Sequence, residues 1–225
     1  MGVANQIAGD VFSFESKSLF VKMVSYRYHV VMTPTQLPHV LAALARAIAN
    51  EQRQAAIGAG LLPVQQSILG YLRDANRYSN TQQALTEYLG LTKGTVSQSL
   101  KVLEEKGWIA RQTDATDRRI VRLALTPSGR ERLEHAGNAA WTQACQNLNA
   151  AEQAAATQTL SRLLTGWQQA RQGKTFGVCH SCRHFQRGDA DHRCGLTGEA
   201  LSDDDSQRIC REHTPPKAAS SEKNR

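Results

Sequence analysis

The sequence predicts a mainly α-helical fold with a small β-hairpin and a short cysteine-rich segment near its C-terminus. Three observations carry this. Apolar residues recur at helical spacing from Leu37 onward, and the period drops to two after Gly107. Four of the five cysteines, Cys179, Cys182, Cys194 and Cys210, fall within 32 residues of a 225-residue chain.

Residues 1–33 show no sustained period and are read as an N-terminal extension without an assigned role, Met23 and Met32 being alternative starts. From Thr35, Leu37, Val40, Leu41, Leu44 and Ile48 mark one face of a helix that continues toward Ile57. Gly58, Gly60 and Pro63 then interrupt the pattern. Pro63, with its fixed φ and missing N–H, suits the first position of a second helix that buries Val64, Ile68 and Leu72.

The next stretch, SNTQQALTEYLGLTKGTVSQSLKVLEEKGWI, reads as two short helices joined by a tight turn. Thr81 supplies a cap oxygen for the first, and Gly90 suits the left-handed turn that ends it. Thr92 caps the second, which runs to about Lys106 and stops at Gly107. Val96, Leu100 and Leu103 share one stripe of that second helix and face the core. Gly94, Thr95, Ser97, Gln98 and Lys101 are left on a polar outer face, as a helix needs in order to enter a DNA major groove. A solvated helix face is the plainer reading of the same residues.

After Gly107, WIARQ and IVRLAL alternate as strands around the loop TDATDRR, making a hairpin with Arg118 and Arg119 at its tip. Between Thr81 and Arg132 there are nine Lys/Arg against six Asp/Glu, so positive charge is concentrated locally at that tip. Thr126, Pro127 and Gly129 begin a helix read as one long element through Leu133, Ala136, Ala140, Trp141 and Leu148. Asn149 and Glu152 have capping-box spacing for a further helix bearing Leu160, Leu163, Leu164 and Trp167, which Gly173 ends. Trp141 and Trp167 are assigned to a core or a subunit interface, and Cys145 to a small buried thiol. The tail TPPKAASSEKNR is too polar to bury anything.

The run LTKGTVSQSLKVLEEKGWIARQTDATDRRIVRLALTPSGRERL resembles the MarR family of transcriptional regulators, in both its helix pattern and its D-x-x-D-R-R wing followed by L-T-x-x-G. The resemblance extends from about Leu37 to Trp167. It implies a winged helix-turn-helix flanked by N- and C-terminal dimerisation helices, with the two recognition helices of a homodimer in successive major grooves. A near-palindromic operator with half-sites roughly 10 bp apart follows from that geometry. Carried over by position, the DNA contacts are Thr92, Lys93, Thr95, Ser97, Gln98 and Lys101 on the helix and Arg118 and Arg119 on the wing, with Arg111 and Arg122 as further candidates. Each wing arginine has a plainer role as a surface partner of Asp114 or Asp117. The resemblance also allows a small aromatic effector, for which no motif names the residues.

The net charge of +7 and pI near 9.4 agree with an anionic partner without identifying one. No apolar run is long enough to span a bilayer and no secretion signal opens the chain, so a cytoplasmic location and reduced thiols are expected. Clustered thiols in that setting point to a metal site. Two sets of ligands fit the spacing. A 4Fe–4S cluster would use Cys179, Cys182, Cys194 and Cys210, and is the preferred reading. Zinc would use Cys179, Cys182, Cys210 and His213, leaving Cys194 spare. The C-x2-C-x2-F run ending at Phe185 also looks like small iron–sulfur subunits that accompany glycyl-radical enzymes. His180, His184 and His192 are read as exposed or supporting groups. The predicted layout is therefore an extension (1–33), a MarR-like domain (34–172), a metal-binding segment (173–213) and a disordered tail (214–225). A cluster seated there would sense redox or iron status, and zinc would brace. The rival class is an electron-transfer or accessory protein using its winged helix for protein contacts. No acid partner or oxyanion loop supports hydrolysis, so no enzymatic activity is expected.

Overall fold

The computed structural model describes residues 36–216 apart from 116, 138, 172, 189 and 190. The predicted N-terminal extension and residues 217–225 of the tail lie outside the described residues. The chain divides into two compact units, Met1–Ala47 and Ile48–Arg225. Of the first, only residues 36–47 are described, and they form the beginning of helix α1 (Leu37–Gly58). The rest of the fold belongs to the second unit.

There, α2 (Pro63–Asp74) starts with Pro63 in the first turn, as its sequence requires. Helices α3 (Gln82–Leu89) and α4 (Lys93–Glu105) form the helix-turn-helix. Thr81 Oγ1 accepts the N–H of Ala84, and Gly90 closes α3 in the left-handed region at φ 63°. Ile68 and Leu69 of α2, Leu85 of α3, and Val96, Leu100 and Leu103 of α4 are fully buried together. Each such side chain contributes about 1.5–3 kcal/mol relative to exposure, so this cluster fixes the rotation of α4 about its own axis.

Strands β1 (Ile109–Thr113) and β2 (Val121–Leu125) pair antiparallel, with Ile109 opposite Leu125 and Thr113 opposite Val121. Leu123 plugs the hairpin into the core, and its N–H donates to the Asn80 carbonyl at 2.7 Å. Val121, two residues before Leu123 on the same strand face, is exposed near the tip. Helix α5 (Pro127–His135) follows, capped by Thr126. Its Gly129 is required by close approach: a Cβ there would sit 2.0 Å from the Trp108 carbonyl oxygen.

The single long helix expected from Thr126 to Leu148 is broken. Helix α5 stops at His135, and α6 (Ala139–Gln146) begins after the turn. The backbone pair that would have bridged this point is satisfied by side chains instead. Gln66 Nε2 donates to the Ala136 carbonyl at 2.8 Å, while the Ala140 N–H donates to Glu51 Oε1 at 2.9 Å. Gly137, a poor helix former, stands in the turn. Helix α7 (Ala150–Ala170) has the predicted Asn149–Glu152 capping box. None of its residues is buried, and Leu160, Leu163, Leu164 and Trp167 are 43–57% exposed.

The cysteine segment folds as two small sheets. β3 (Gly177–Val178) pairs with β7 (Ile209–Cys210), and β4 (Phe185–Gln186), β5 (His192–Cys194) and β6 (Ala200–Leu201) form a three-stranded sheet in that order. A 3-10 turn at Cys179–Ser181 and the short α8 (Asp203–Gln207) complete it. No single helix among the described residues is long and apolar enough to cross a membrane.

Two glycines give opposite expectations. Gly129→Ala forces a methyl group onto the Trp108 carbonyl and is expected to lower the unfolding free energy by about 1–3 kcal/mol. At Gly94 a Cβ meets only Thr92 Oγ1 at 3.9 Å, so Gly94→Ala is expected to raise helix stability by up to about 1 kcal/mol. Urea unfolding of both variants checks the pair of signs.

Candidate nucleic-acid interface and thiol site

The N-terminal turn of α4 is shaped by Thr92. Its Oγ1 accepts the Thr95 N–H at 3.2 Å and shares a 2.9 Å hydrogen bond with Thr95 Oγ1, which leaves Lys93 and Gly94 at the helix entrance. Lys93, Thr95, Ser97, Gln98 and Lys101 are all exposed, opposite the buried Val96, Leu100 and Leu103. The sequence-derived helix candidates thus share one accessible polar face. Only Lys101 carries an ion pair, a loose contact with Glu105 at 3.9 Å.

The wing arginines separate into different roles. Arg122 is part of the hairpin's frame, because its guanidinium binds Asp114 at 2.8 Å and the Tyr78 carbonyl at 2.9 Å. Arg111 is held by Glu104 at 2.8 Å. Arg118 and Arg119 project from the tip. Arg119 forks onto Asp117 at 2.9 Å while its side chain stays 91% exposed. That hydrogen bond holds the Asp117 carboxyl below its ordinary range and raises the Arg119 guanidinium. The pair is accessible to solvent, so Arg119 can exchange Asp117 for another anion without any side chain leaving a core.

The thiols lie beside the helix-turn-helix. Cys179 is buried, and its sulfur accepts a hydrogen bond from Asn76 Nδ2 at 3.3 Å. Cys179 and Cys210 lie near enough to shift each other's acidity, and the charge of Cys182 reaches Cys179. The Thr214 N–H donates to Cys182 Sγ at 3.3 Å. The neighbouring Cys179 lowers the Cys210 thiol below its ordinary value, while Cys210 and burial raise that of Cys179. Cys194 stands on β5 opposite Phe185, in the other sheet. Among the described residues, no three His, Cys, Asp or Glu side chains group closely enough to hold a metal ion.

His213, the alternative zinc ligand, is buried as a wedge. Its Nδ1 faces the Thr175 carbonyl at 3.2 Å and its Nε2 lies 3.1 Å from Ser181 Oγ. Burial lowers its pKa, and Gly177 is small because a Cβ there would come within 2.8 Å of the ring. Of the other histidines, His180 Nδ1 meets the Ser206 carbonyl, and His192 pairs with Asp203 and stacks edgewise on Phe185. Cys145, expected to be buried, is half-buried on α6.

A family model described as MarR family matches residues 59–120, from the turn before α2 to the wing tip. The matched segment contains the capped α4, its buried stripe and the hairpin just described. The segment that carries the winged helix is thus the part that matches the MarR family model. Several solved structures are similar to the chain. CouR from Rhodococcus jostii RHA1, bound to p-coumaroyl-CoA, is 22% identical over 55% of this chain and 88% of its own, with a TM-score of 0.47. A mutant of MepR from S. aureus, bound to an oligodeoxyribonucleotide, is 26% identical over 61% and 99%, with a TM-score of 0.39. Apo MarR from E. coli is 21% identical over 60% and 99%, at 0.45. No curated protein matches the chain.

The matched segment ends before the thiol segment, and the residues joining the two were not evident from the sequence. Asn76 and Ser79 are buried in the loop between α2 and α3. Arg211 reaches both carboxylate oxygens of Glu87 on α3 at 2.7 Å. Tyr88 stacks on Tyr71 and Phe176, with ring centroids 4.7 and 5.1 Å apart. The one local signal was the polar run NRYSN between two apolar stripes, longer than a turn needs.

The Glu87–Arg211 pair makes a pH prediction. Arg211 holds the Glu87 carboxyl below its ordinary range, chiefly by hydrogen bonding, so the pair's contribution is complete above the unfolded carboxylate pKa and is lost as pH falls through the lower folded value. Glu87→Gln is therefore expected to be less stable than the wild type at pH 7. The deficit should shrink to nothing in acid, as read from melting temperatures across the carboxylate range.

Proposed function

We propose that this chain is a MarR-type, DNA-binding transcriptional regulator that acts as a homodimer on a near-palindromic operator. The observation that carries this reading is α4 itself: one face locked by Val96, Leu100 and Leu103, the other polar and accessible, beside a hairpin tipped by Arg118 and Arg119. Lys93, Arg118 and Arg119 suit phosphate or minor-groove contact, while Ser97, Gln98 and Lys101 offer groups to base edges. Thr92 acts first as a cap, and Thr95 is tied to it. The exposed apolar stripe of α7 supports dimerisation by the C-terminal helices.

We infer further that the thiol segment binds a 4Fe–4S cluster through Cys179, Cys182, Cys194 and Cys210, with DNA affinity following its state. N–H donors aimed at the sulfurs of Cys179 and Cys182 support thiolate ligation, since such donors favour the charged sulfur over the neutral thiol. Bound there, the cluster would supply a redox-sensitive centre. Cys194 is the ligand that the described contacts leave apart from the others.

A second reading has zinc as a fixed brace and a small aromatic effector as the signal. It is favoured by a cavity of about 330 Å³ bordered by Gln66, Tyr71, Arg73, Tyr88 and Leu133, where aromatic faces meet a cation.

Selection from a random duplex pool, followed by affinity measurements at several salt concentrations, tests the first reading. Log affinity should fall linearly with log salt. Lys93→Ala should reduce that slope by about one, and Gln98→Ala should relax preference at one base by about 1–3 kcal/mol. Uniformly weak binding unaffected by Arg119→Ala would overturn it. Anaerobic purification with metal analysis separates the two metal readings: iron with acid-labile sulfide supports the cluster, and one zinc per chain with no colour supports the brace.

A further inference from the structure

The wing has little apolar anchorage beyond its base. Ile109 and Leu123 are buried, but Arg111–Thr113 on one strand and Val121 on the other are exposed. Two paired strands without further cover are at best marginally stable, so polar ties decide where the tip stands. Arg122 is the principal tie. Its Nε donates to Asp114 within the hairpin at 2.8 Å, and its Nη1 donates to the Tyr78 carbonyl outside the hairpin at 2.9 Å. Asp114 also accepts the Asp117 N–H at 3.1 Å, and Asp117 accepts the Arg119 N–H at 2.9 Å. The place of the tip therefore depends on where Tyr78 presents its carbonyl.

Tyr78 belongs to the loop between α2 and α3, and the cysteine segment holds that loop from the other side. The Tyr78 hydroxyl donates to Glu199, in the turn between β5 and β6, and accepts Arg77 Nε at 2.7 Å. The Arg77 guanidinium lies 4.9 Å from the centre of the Tyr78 ring and donates to the Ala200 carbonyl of β6. It also reaches the Asp205 carboxylate of α8 at 3.8 Å. The Asp205 side chain is only 12% exposed and is itself fixed by the hydroxyl and N–H of Ser202. A lone surface ion pair would contribute little. Here one planar guanidinium meets a ring, a carbonyl and a largely buried carboxylate at once, which leaves it few orientations.

We propose that the three-stranded sheet of the cysteine segment, with α8, is a brace for the wing, and that Arg77 and Tyr78 are the positioning residues through which it sets Arg118 and Arg119 against DNA. The inference rests on reading the chain as a DNA-binding protein that uses its wing. No sulfur takes part in the route. Glu199, Ala200 and Asp205 hold Arg77 and Tyr78, the Tyr78 carbonyl holds Arg122, and Arg122 holds the Asp114 that shapes the tip. With the brace loosened, the tip samples more positions, and each arginine contact must then order more of the chain on binding. Helix α4 does not share this dependence, because Val96, Leu100 and Leu103 fix it in the core.

The test uses the full-length protein, with a duplex selected on the wild type. Arg77→Met, Tyr78→Phe and Glu199→Ala should each lower DNA affinity about threefold to tenfold. Glu199→Gln, which keeps an acceptor for the Tyr78 hydroxyl, should stay within about twofold of wild type. In the three weakened backgrounds Arg119→Ala should cost less than half of its wild-type effect on log affinity, whereas Gln98→Ala should cost the same factor in every background. Without DNA, the amides of Asp114, Asp117 and Ile120, all bonded within the tip, should exchange about tenfold faster in those three variants, with α4 unchanged. If Arg77→Met does not fold, Tyr78→Phe and Glu199→Ala decide. Tip exchange unchanged in the variants, or Arg119→Ala costing the same factor with and without the brace, overturns the proposal. A wild-type protein for which no duplex can be selected overturns the DNA reading and the placement against DNA with it; tip exchange then supports or overturns the brace alone.

Discussion

The burial of three side chains on one stripe of α4 is the constraint on which the functional surface depends. Val96, Leu100 and Leu103 have no exposed area, so α4 cannot roll without bringing apolar surface into water. Everything opposite them is therefore obliged to face out. The Thr92 cap then settles where the helix begins, and Gly90, in the left-handed region, sets the turn that aims it. The hairpin is tied to the same core by Leu123, and its tip is shaped by Asp114 and Asp117, which organise backbone N–H groups as well as arginines.

A second constraint is polar. The loop carrying Asn76 and Ser79 is buried beside the thiol segment; the Asn76 amide meets Cys179 sulfur, the Asn76 N–H meets β7, Ser79 Oγ meets the Arg211 N–H, and the Asn80 carbonyl meets the wing, while Asn80 Oδ1 is buried with no partner among the described residues. Buried polar contacts of this kind are demanding, since a partly satisfied network costs more than an apolar one. They tie the extension to a defined place beside α3, whereas apolar packing alone would tolerate sliding.

Much of the winged helix was legible in the sequence because local rules and tertiary packing agree there. The caps at Thr81, Thr92, Thr126 and Asn149, the stop at Gly90 and the stripe on α4 follow from nearest neighbours along the chain. The break between α5 and α6 did not, since it depends on Gln66 and Glu51 reaching in from distant helices to take the backbone groups of Ala136 and Ala140. The attachment of the cysteine segment was equally hidden: spacing marks a cysteine-rich stretch but says nothing about an asparagine a hundred residues earlier. Composition also could not distinguish the wing's arginines, where Arg122 is internal framing and Arg119 is exposed. Nor could it tell that His213 would be enclosed by Thr175 and Ser181.

Amide hydrogen exchange on the full-length protein, with and without a selected duplex, tests the central claim most directly. If α4 presents its polar face to DNA, added protection should fall on the first turns of α4 and on the wing tip around residues 117–120, with little change along the interior of α2. Protection confined to α7 or to the cysteine segment, with α4 exchanging as in the free protein, would contradict it.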